Sequence, residues 1–184
     1  MVYVGLVKLN QINDMRSIKF VTQREETELI HKLGDELLEA GFNASNSVIV
    51  TVSTDYSSIV GQILRHYLSH NGEICDGFGI DVPYPDEVWN KKYNDEMYEN
   101  FKLHAPSFQF KSLIFVEAGV IRGGNYKYVT EWVKKRLESG KRLITLTLFE
   151  NVHSVFKSDF VGDYYNDEKE DLTFWWEKEN NHWK

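Results

Sequence analysis

Short apolar runs alternate with amphipathic stretches along this chain, and each pattern predicts a strand or a helix. Residues 2–7 alternate weakly and predict a strand, and residues 16–21 predict another. Thr22 and Glu25 then form a capping-box pattern that predicts the start of a helix. Its apolar residues recur at helical spacing, namely Leu29, Ile30, Leu33, Leu37 and Leu38, and Gly41 ends it.

The rest of the chain repeats this strand–helix order. The β-branched run at 48–52 is typical of a parallel strand covered on both faces, and a polar turn at 53–57 leads into a second helix. Further strands are predicted at 74–82, 113–116 and 143–149, a further helix at 126–137 with Gly140 as its stop, and extended structure at 172–176. The alternation predicts an α/β fold with a three-layer, doubly wound, mainly parallel sheet.

We expect one domain over residues 1–184. Residues 83–110 form either an insertion with its own short helix or a mobile flap. The N-terminal segment and residues 159–184 are expected to form a small hood over one edge of the sheet.

The segment at 112–126 carries the strongest chemical signal. An apolar run reaches Glu117, a glycine-bearing turn follows, and a helix begins near Asn125. Such a strand–loop–helix unit presents backbone N–H groups where a phosphate could bind, and Gly123 and Gly124 allow close approach. The alternative is an ordinary connection, because any buried strand that enters a helix can look like this.

Composition excludes several classes of function. A formal net charge of −7 argues against a broad nucleic-acid-binding face.

The single cysteine, Cys75, excludes an internal disulfide and is expected to be a small buried hydrophobe. The sequence has neither a membrane-spanning apolar stretch nor a signal-peptide pattern, so we expect a cytoplasmic protein. The acidic run at 167–171 is expected to be a solvated turn, with a partner-binding surface as the alternative.

Three segments together resemble the type I phosphoribosyltransferases, most closely the small xanthine/hypoxanthine-type enzymes. These are the helix–strand–loop–helix at 28–68, the strand–loop–helix at 113–135, and Asp163-Tyr164-Tyr165 followed by an aromatic strand at 172–177. The resemblance implies a site for phosphoribosyl pyrophosphate. In that family two adjacent acids hold the ribose hydroxyls, and a Thr/Gly-rich turn binds the 5-phosphate.

This chain keeps only part of that pattern. Glu117 matches the first acid, but the second position is Ala118. The family's Asp-Thr-Gly falls on Ile121, Arg122 and Gly123, and its following threonine falls on Asn125. Arg122 could grip a phosphate bidentately instead, or form a surface salt bridge.

Other family positions also differ or stay open. The pyrophosphate loop would be Ser53, Thr54 and Asp55, where Asp55 repels pyrophosphate unless magnesium intervenes. Lys91 and Lys92 in the flap could supply positive charge on closure, or lie in a solvated loop. Aromatic residues of the hood could stack on a base, pack on the core or form a homodimer contact, namely Tyr164, Trp175 and Trp176.

These departures predict a phosphoribosyltransferase-like protein whose transferase activity is lost or weak. It would keep a binding role for a small phosphorylated ligand, a nucleotide or a protein partner. The first alternative is an active, divergent enzyme that uses Glu117 with magnesium on a nucleobase. The second is a non-enzymatic interaction protein, for which the Asn-, Lys- and Tyr-rich composition hints at a phage genome.

Overall fold

The computed structural model describes residues 16–52, 57–69, 73–80, 110–135 and 137–175. The predictions for residues 2–7, for most of the flap, and for Ser53, Thr54, Asp55, Lys91, Lys92 and Trp176 lie outside these ranges. The described elements are β1 (Ser17–Val21), α1 (Gln23–Glu39), β2 (Ser47–Val52), α2 (Ser57–Leu68), β3 (Asp76–Ile80), β4 (Ser112–Val120), α3 (Gly124–Lys134), β5 (Arg142–Asn151), β6 (Phe160–Tyr165) and β7 (Glu170–Phe174).

Five of these strands form one parallel sheet in the order β3-β2-β4-β5-β6. In the centre, Val116 of β4 lies opposite Thr51 of β2 and Leu146 of β5. Because all five strands run the same way, their carboxyl ends meet at one edge, which we call the carboxyl edge. The prediction of a mainly parallel α/β sheet is confirmed.

The helices cover both faces of this sheet. On one face, Leu33 of α1 and Leu64 of α2 pack in one buried cluster with Ile114 of β4. On the other face, Val129 of α3 packs with Phe115 of the same strand. Alternate residues of β4 therefore point into two separate cores, as expected for a strand covered on both sides.

The start and end of α1 follow local sequence signals. The Thr22 hydroxyl accepts the Glu25 N–H at 3.2 Å, and the Glu25 carboxylate accepts the Thr22 N–H at 2.8 Å. Just beyond the helix, Gly41 has a φ of 85°, which a side chain would disfavour. The predicted capping box and helix stop are both confirmed.

Strand β4 is longer than the sequence predicts. It continues past Val116, and Glu117, Gly119 and Val120 pair with residues of β5. The positions expected to form a loop are thus mostly strand, because burial of Val120 rewards continued pairing. Helix α3 was predicted at 126–137 and spans Gly124–Lys134, so it begins two residues earlier, ends three residues earlier and does not reach Gly140.

One segment that was predicted to lie in the hood belongs to the main sheet. Strands β1 and β7 form a separate two-stranded parallel sheet, whereas β6, expected in the hood, is the edge strand of the main sheet within the described residues. A Cβ at Gly162 would lie 2.6 Å from the Leu148 carbonyl oxygen, so glycine lets β6 approach β5. The indole N–H of Trp175 donates to the buried Glu26 carboxylate at 2.5 Å, which ties the hood to α1.

Candidate functional site

A cavity of about 640 Å³ opens at the carboxyl edge beside β4 and α3. Its lining residues are Glu117, Gly119, Val120, Ile121, Arg122, Gly123, Gly124 and Tyr126. Open α/β sheets bind ligands at this edge, and the volume lies within the usual range for small-molecule sites. The structure therefore brings together four of the five residues predicted to bind phosphate or ribose, and the fifth, Asn125, is the second residue of α3.

Glu117 points toward the start of α2. The Ser57 hydroxyl donates to Glu117 Oε1 at 2.5 Å, and the backbone N–H of Ala118 donates to the same oxygen at 3.1 Å. The Ala118 N–H also reaches the Ser57 hydroxyl at 3.2 Å. Ser57 is fully buried, so this bond is shielded from water. One carboxylate oxygen of Glu117 is thus already used in holding β4 to α2.

Ala118 stands where the resembled family has its second acid, and it is not among the residues that line the cavity. Ala118 turns its side chain into the core under α1 and α2 and is only 6% exposed. Ile121 is 58% exposed where the family has an acid, and Arg122 is an exposed residue of the same short turn. Glu117 and Arg122 are therefore the two charged side chains among the described residues that line this cavity.

Gly123 is required by the packing of the turn before α3. It has a φ of 78° and precedes α3 without a side-chain cap. A Cβ at this position would overlap the Ser154 hydroxyl and would lie 2.8 Å from Phe156 Cβ. The Val155 N–H also donates to the Arg122 carbonyl at 3.1 Å. The turn before α3 therefore packs against the segment after β5 and is hydrogen-bonded to it.

Tyr126 is a buried residue of the cavity lining. Its hydroxyl lies 2.7 Å from the Phe115 carbonyl oxygen and 3.2 Å from that of Leu146, and either oxygen can accept its hydrogen bond. Burial raises the pKa of Tyr126 well above its usual value, and the nearby Glu117 charge raises it further. This hydroxyl stays protonated and holds α3 on the sheet, so it does not supply a base.

No protein-family model matches the chain, and no curated protein sequence matches it. Solved structures do match over nearly its whole length. The xanthine-guanine-hypoxanthine phosphoribosyltransferase of Helicobacter pylori has a TM-score of 0.62 at 13% identity, covering 91% of this chain and 97% of that one. A purine phosphoribosyltransferase from Pyrococcus horikoshii has a TM-score of 0.62 at 17% identity, covering 87% and 94%.

A third similar structure is a hypothetical protein from Neisseria gonorrhoeae with bound ppGpp. Its TM-score is 0.63 at 14% identity, and the match covers 91% of this chain and 96% of that one. The chain has a type I phosphoribosyltransferase-like fold. Identities this low show the fold and leave the chemistry to be argued from the residues.

A buried polar cluster between β5 and β6 was not predicted from the sequence. Glu150 near the end of β5 is fully buried, and its carboxylate accepts the Ser158 N–H at 2.8 Å. The Lys157 ammonium lies 3.1 Å from the other Glu150 oxygen and donates to the Val152 carbonyl at 3.2 Å. This cluster fixes the β5–β6 connection that packs on Gly123.

The described hood residues lie outside the cavity lining. Tyr164 is 53% exposed on β6, and Trp175 is engaged by Glu26. Cys75 is fully buried, and burial raises the pKa of its thiol to about 11, as expected of a structural cysteine. Within the described ranges, every helix is too short or too polar to cross a membrane.

The described residues that line the cavity do not by themselves fit a resident magnesium ion. Magnesium prefers several oxygen ligands, usually one or two carboxylates together with substrate phosphates. Glu117 supplies a single carboxylate with one oxygen already accepting from Ser57. The described part of the chain has no group of three or more His, Cys, Asp or Glu residues that could hold a metal.

Proposed function

We propose that this protein binds a phosphorylated nucleotide at the carboxyl edge of its sheet and has lost transferase activity. It would act in the cytoplasm as a binding protein that keeps the fold of its enzyme relatives. The proposal concerns the cavity beside Glu117 and Arg122, where a phosphoribosyl group would bind if the family resemblance extends to the site.

The observation that carries this proposal is the hydrogen bonding of Glu117. A transferase site of this kind needs acids that hold the ribose hydroxyls while charge develops on the sugar. Here one acid is replaced by Ala118, and the remaining one accepts hydrogen bonds from Ser57 and from the Ala118 amide. Replacing those bonds with ribose contacts would leave the buried Ser57 hydroxyl without its acceptor, which costs about 1–3 kcal/mol.

Binding of a phosphate has support that does not depend on Glu117. The exposed Arg122 and the first residues of α3 lie along the same cavity. A guanidinium can hold a phosphate through two parallel hydrogen bonds, and a helix start adds favourable dipoles. The similar hypothetical protein from Neisseria gonorrhoeae has bound ppGpp, so one protein of similar fold binds a phosphorylated nucleotide.

An active, magnesium-dependent phosphoribosyltransferase is the second candidate. The observation in its favour is that Glu117 still lines the cavity and is only half-buried. In that case magnesium would enter with the phosphates of phosphoribosyl pyrophosphate and would be shared with Glu117.

Isothermal titration with GMP, ppGpp and phosphoribosyl pyrophosphate, each with and without magnesium, tests the proposed function. We expect a nucleotide to bind, and Arg122→Ala to weaken that binding about ten- to a hundredfold, because a charge-assisted bond contributes ~1.5–3 kcal/mol. Arg24→Ala is the matched control, since Arg24 is exposed on α1 and pairs with Glu28. Absence of nucleotide binding, or equal loss in both variants, would contradict the proposal.

A further inference from the structure

A second cavity, of about 290 Å³, lies between α2 and the strands β2 and β3. Among the described residues, it shares no lining residue with the cavity beside Glu117. Its volume is close to the lower end of the usual range for small-molecule sites. The second cavity is therefore a separate candidate site, of a size that suits a small ligand.

Two glycines leave β3 without side chains where it faces this cavity. A Cβ at Gly77 would lie 3.3 Å from Arg65 Cδ, so this face of the strand is turned toward α2. Gly79 also lines the cavity, and residues two apart in a strand point to the same face. Glycine inside a strand often marks a place where a ligand or another backbone approaches closely. We call Gly77 and Gly79 the glycine strip.

Polar side chains surround the glycine strip. Ser58, Gln62 and Arg65 lie four and then three residues apart on α2, so they share one face of the helix. From β2, Thr51 lines the same cavity and is only 7% exposed. Within the described residues, none of these four side chains is hydrogen-bonded or ion-paired to another residue. Buried polar groups normally have partners, so these groups are suited to bind a polar ligand.

The charge of the cavity favours an anion. Arg65 is the one charged side chain among the described residues that line it. Asp76, the acid next to Gly77, accepts the Gly77 N–H at 2.9 Å, and its side chain points to the opposite face because successive strand residues alternate. The planar Arg65 guanidinium can hold a carboxylate through two parallel hydrogen bonds.

We propose that the second cavity binds a small planar carboxylate, such as an aromatic acid. Its carboxylate pairs with Arg65, and its flat ring lies on the glycine strip. The Ser58 hydroxyl and the Gln62 amide bind polar atoms at the edge of the ring. A ligand with several phosphates fits less well, because the described lining offers it a single cation in a small volume.

This inference goes beyond the proposed nucleotide site and does not depend on it. Arg65 belongs to α2, whereas Arg122 belongs to the turn before α3. Loss of nucleotide binding at Arg122 would leave Arg65 and the glycine strip unchanged.

Titration of the full chain with benzoate and two analogues, followed by ligand-observed NMR, tests the proposal. Benzamide keeps the planar shape and lacks the charge, whereas cyclohexanecarboxylate keeps the charge and lacks the flat ring. We expect benzoate to bind, and benzamide to bind about tenfold more weakly or less, because hydrogen bonds between charged groups contribute at least that much. Cyclohexanecarboxylate should also bind more weakly than benzoate.

Two arginine variants locate the binding. Arg65→Ala should weaken benzoate binding about tenfold or more and leave GMP binding unchanged. Arg122→Ala is the matched control and should leave benzoate binding unchanged, whether or not GMP binds. Both arginines are exposed, so neither substitution should unfold the chain.

Four results would overturn the proposal. The first is absence of benzoate binding, and the second is benzoate that binds no better than either analogue. The third is benzoate binding that Arg65→Ala leaves intact. The fourth is a loss in Arg122→Ala as large as in Arg65→Ala, which would place benzoate in the cavity beside Glu117.

Discussion

The Ser57 hydroxyl and the Glu117 carboxylate meet at 2.5 Å, where the start of α2 lies beside β4. Ser57 is fully buried and Glu117 is half-buried. The bond therefore joins a residue of the packed interior to a residue that lines the cavity. The Glu117 carboxylate therefore contributes to holding β4 against α2.

Ser57→Ala should therefore destabilise the protein although it removes only one oxygen atom. The Ala118 N–H would lose one acceptor and Glu117 one donor, at a cost of about 1–3 kcal/mol. Chemical denaturation measures this difference. Ser58→Ala, in the same helix turn, should change stability by less than about 0.5 kcal/mol. Equal effects of the two variants would show that the Ser57–Glu117 bond contributes little.

Gly123 and Gly124 should respond differently to alanine. Gly123→Ala places a methyl group against Ser154 and Phe156 in a positive-φ residue, and we expect a loss of about 1–3 kcal/mol. Gly124→Ala meets no atom within 4 Å and lies in α3, where alanine gains up to about 1 kcal/mol. Thermal unfolding of both variants tests this. A neutral Gly123→Ala would contradict the packing described for this turn.

Lys157 should stabilise the β5–β6 connection through the buried Glu150. Lys157→Met leaves the carboxylate without its cation, and we expect a loss of about 1–3 kcal/mol, since the lysine itself is half-exposed. The double variant Glu150→Gln/Lys157→Met removes the charge as well and should recover part of that loss. If the double variant is as unstable as the sum of the single ones, the two side chains act independently.

The contact between Glu26 and Trp175 should make stability depend on pH. Burial raises the pKa of Glu26 above its ordinary value of 4.5, while the Trp175 bond acts in the opposite direction. Folding therefore favours the protonated acid, and its contribution is complete below pH 4.5 and decreases as pH rises through the folded pKa. Glu26→Gln, which mimics the neutral acid, should lack this decrease when both proteins are unfolded across that range. Parallel pH profiles would contradict the assignment.

Local and periodic signals were sufficient for most of the fold. The capping box at Thr22 depends on residues three apart, and the β-branched run at 48–52 reports burial on both faces. The end of β4 could not be found in this way, because pairing of Val120 with Glu150 is set by the neighbouring strand. The prediction that β6 belongs to the hood is wrong for the same reason. The residues of β6 alone do not indicate that it pairs with β5.

The placement of the candidate residues was more predictable than their contacts. The strand–loop–helix pattern and the family resemblance singled out Glu117, Arg122 and Gly123, and the structure places them along one cavity. The bond between Ser57 and Glu117 joins residues sixty positions apart. One sequence signal could have indicated this bond. Ser57 is a serine at the start of α2, and that helix begins beside β4. Ser57 was instead assigned to the preceding turn, whereas it is the first residue of α2.

The central claim is that the fold persists without transferase chemistry, and pyrophosphate release tests it most directly. The protein should be incubated with phosphoribosyl pyrophosphate, magnesium and each of hypoxanthine, guanine and xanthine. We expect no release above the protein-free blank, for wild type and Glu117→Gln alike. Robust release with any base that Glu117→Gln abolishes, while that variant remains folded, would contradict the account and identify the protein as an active phosphoribosyltransferase.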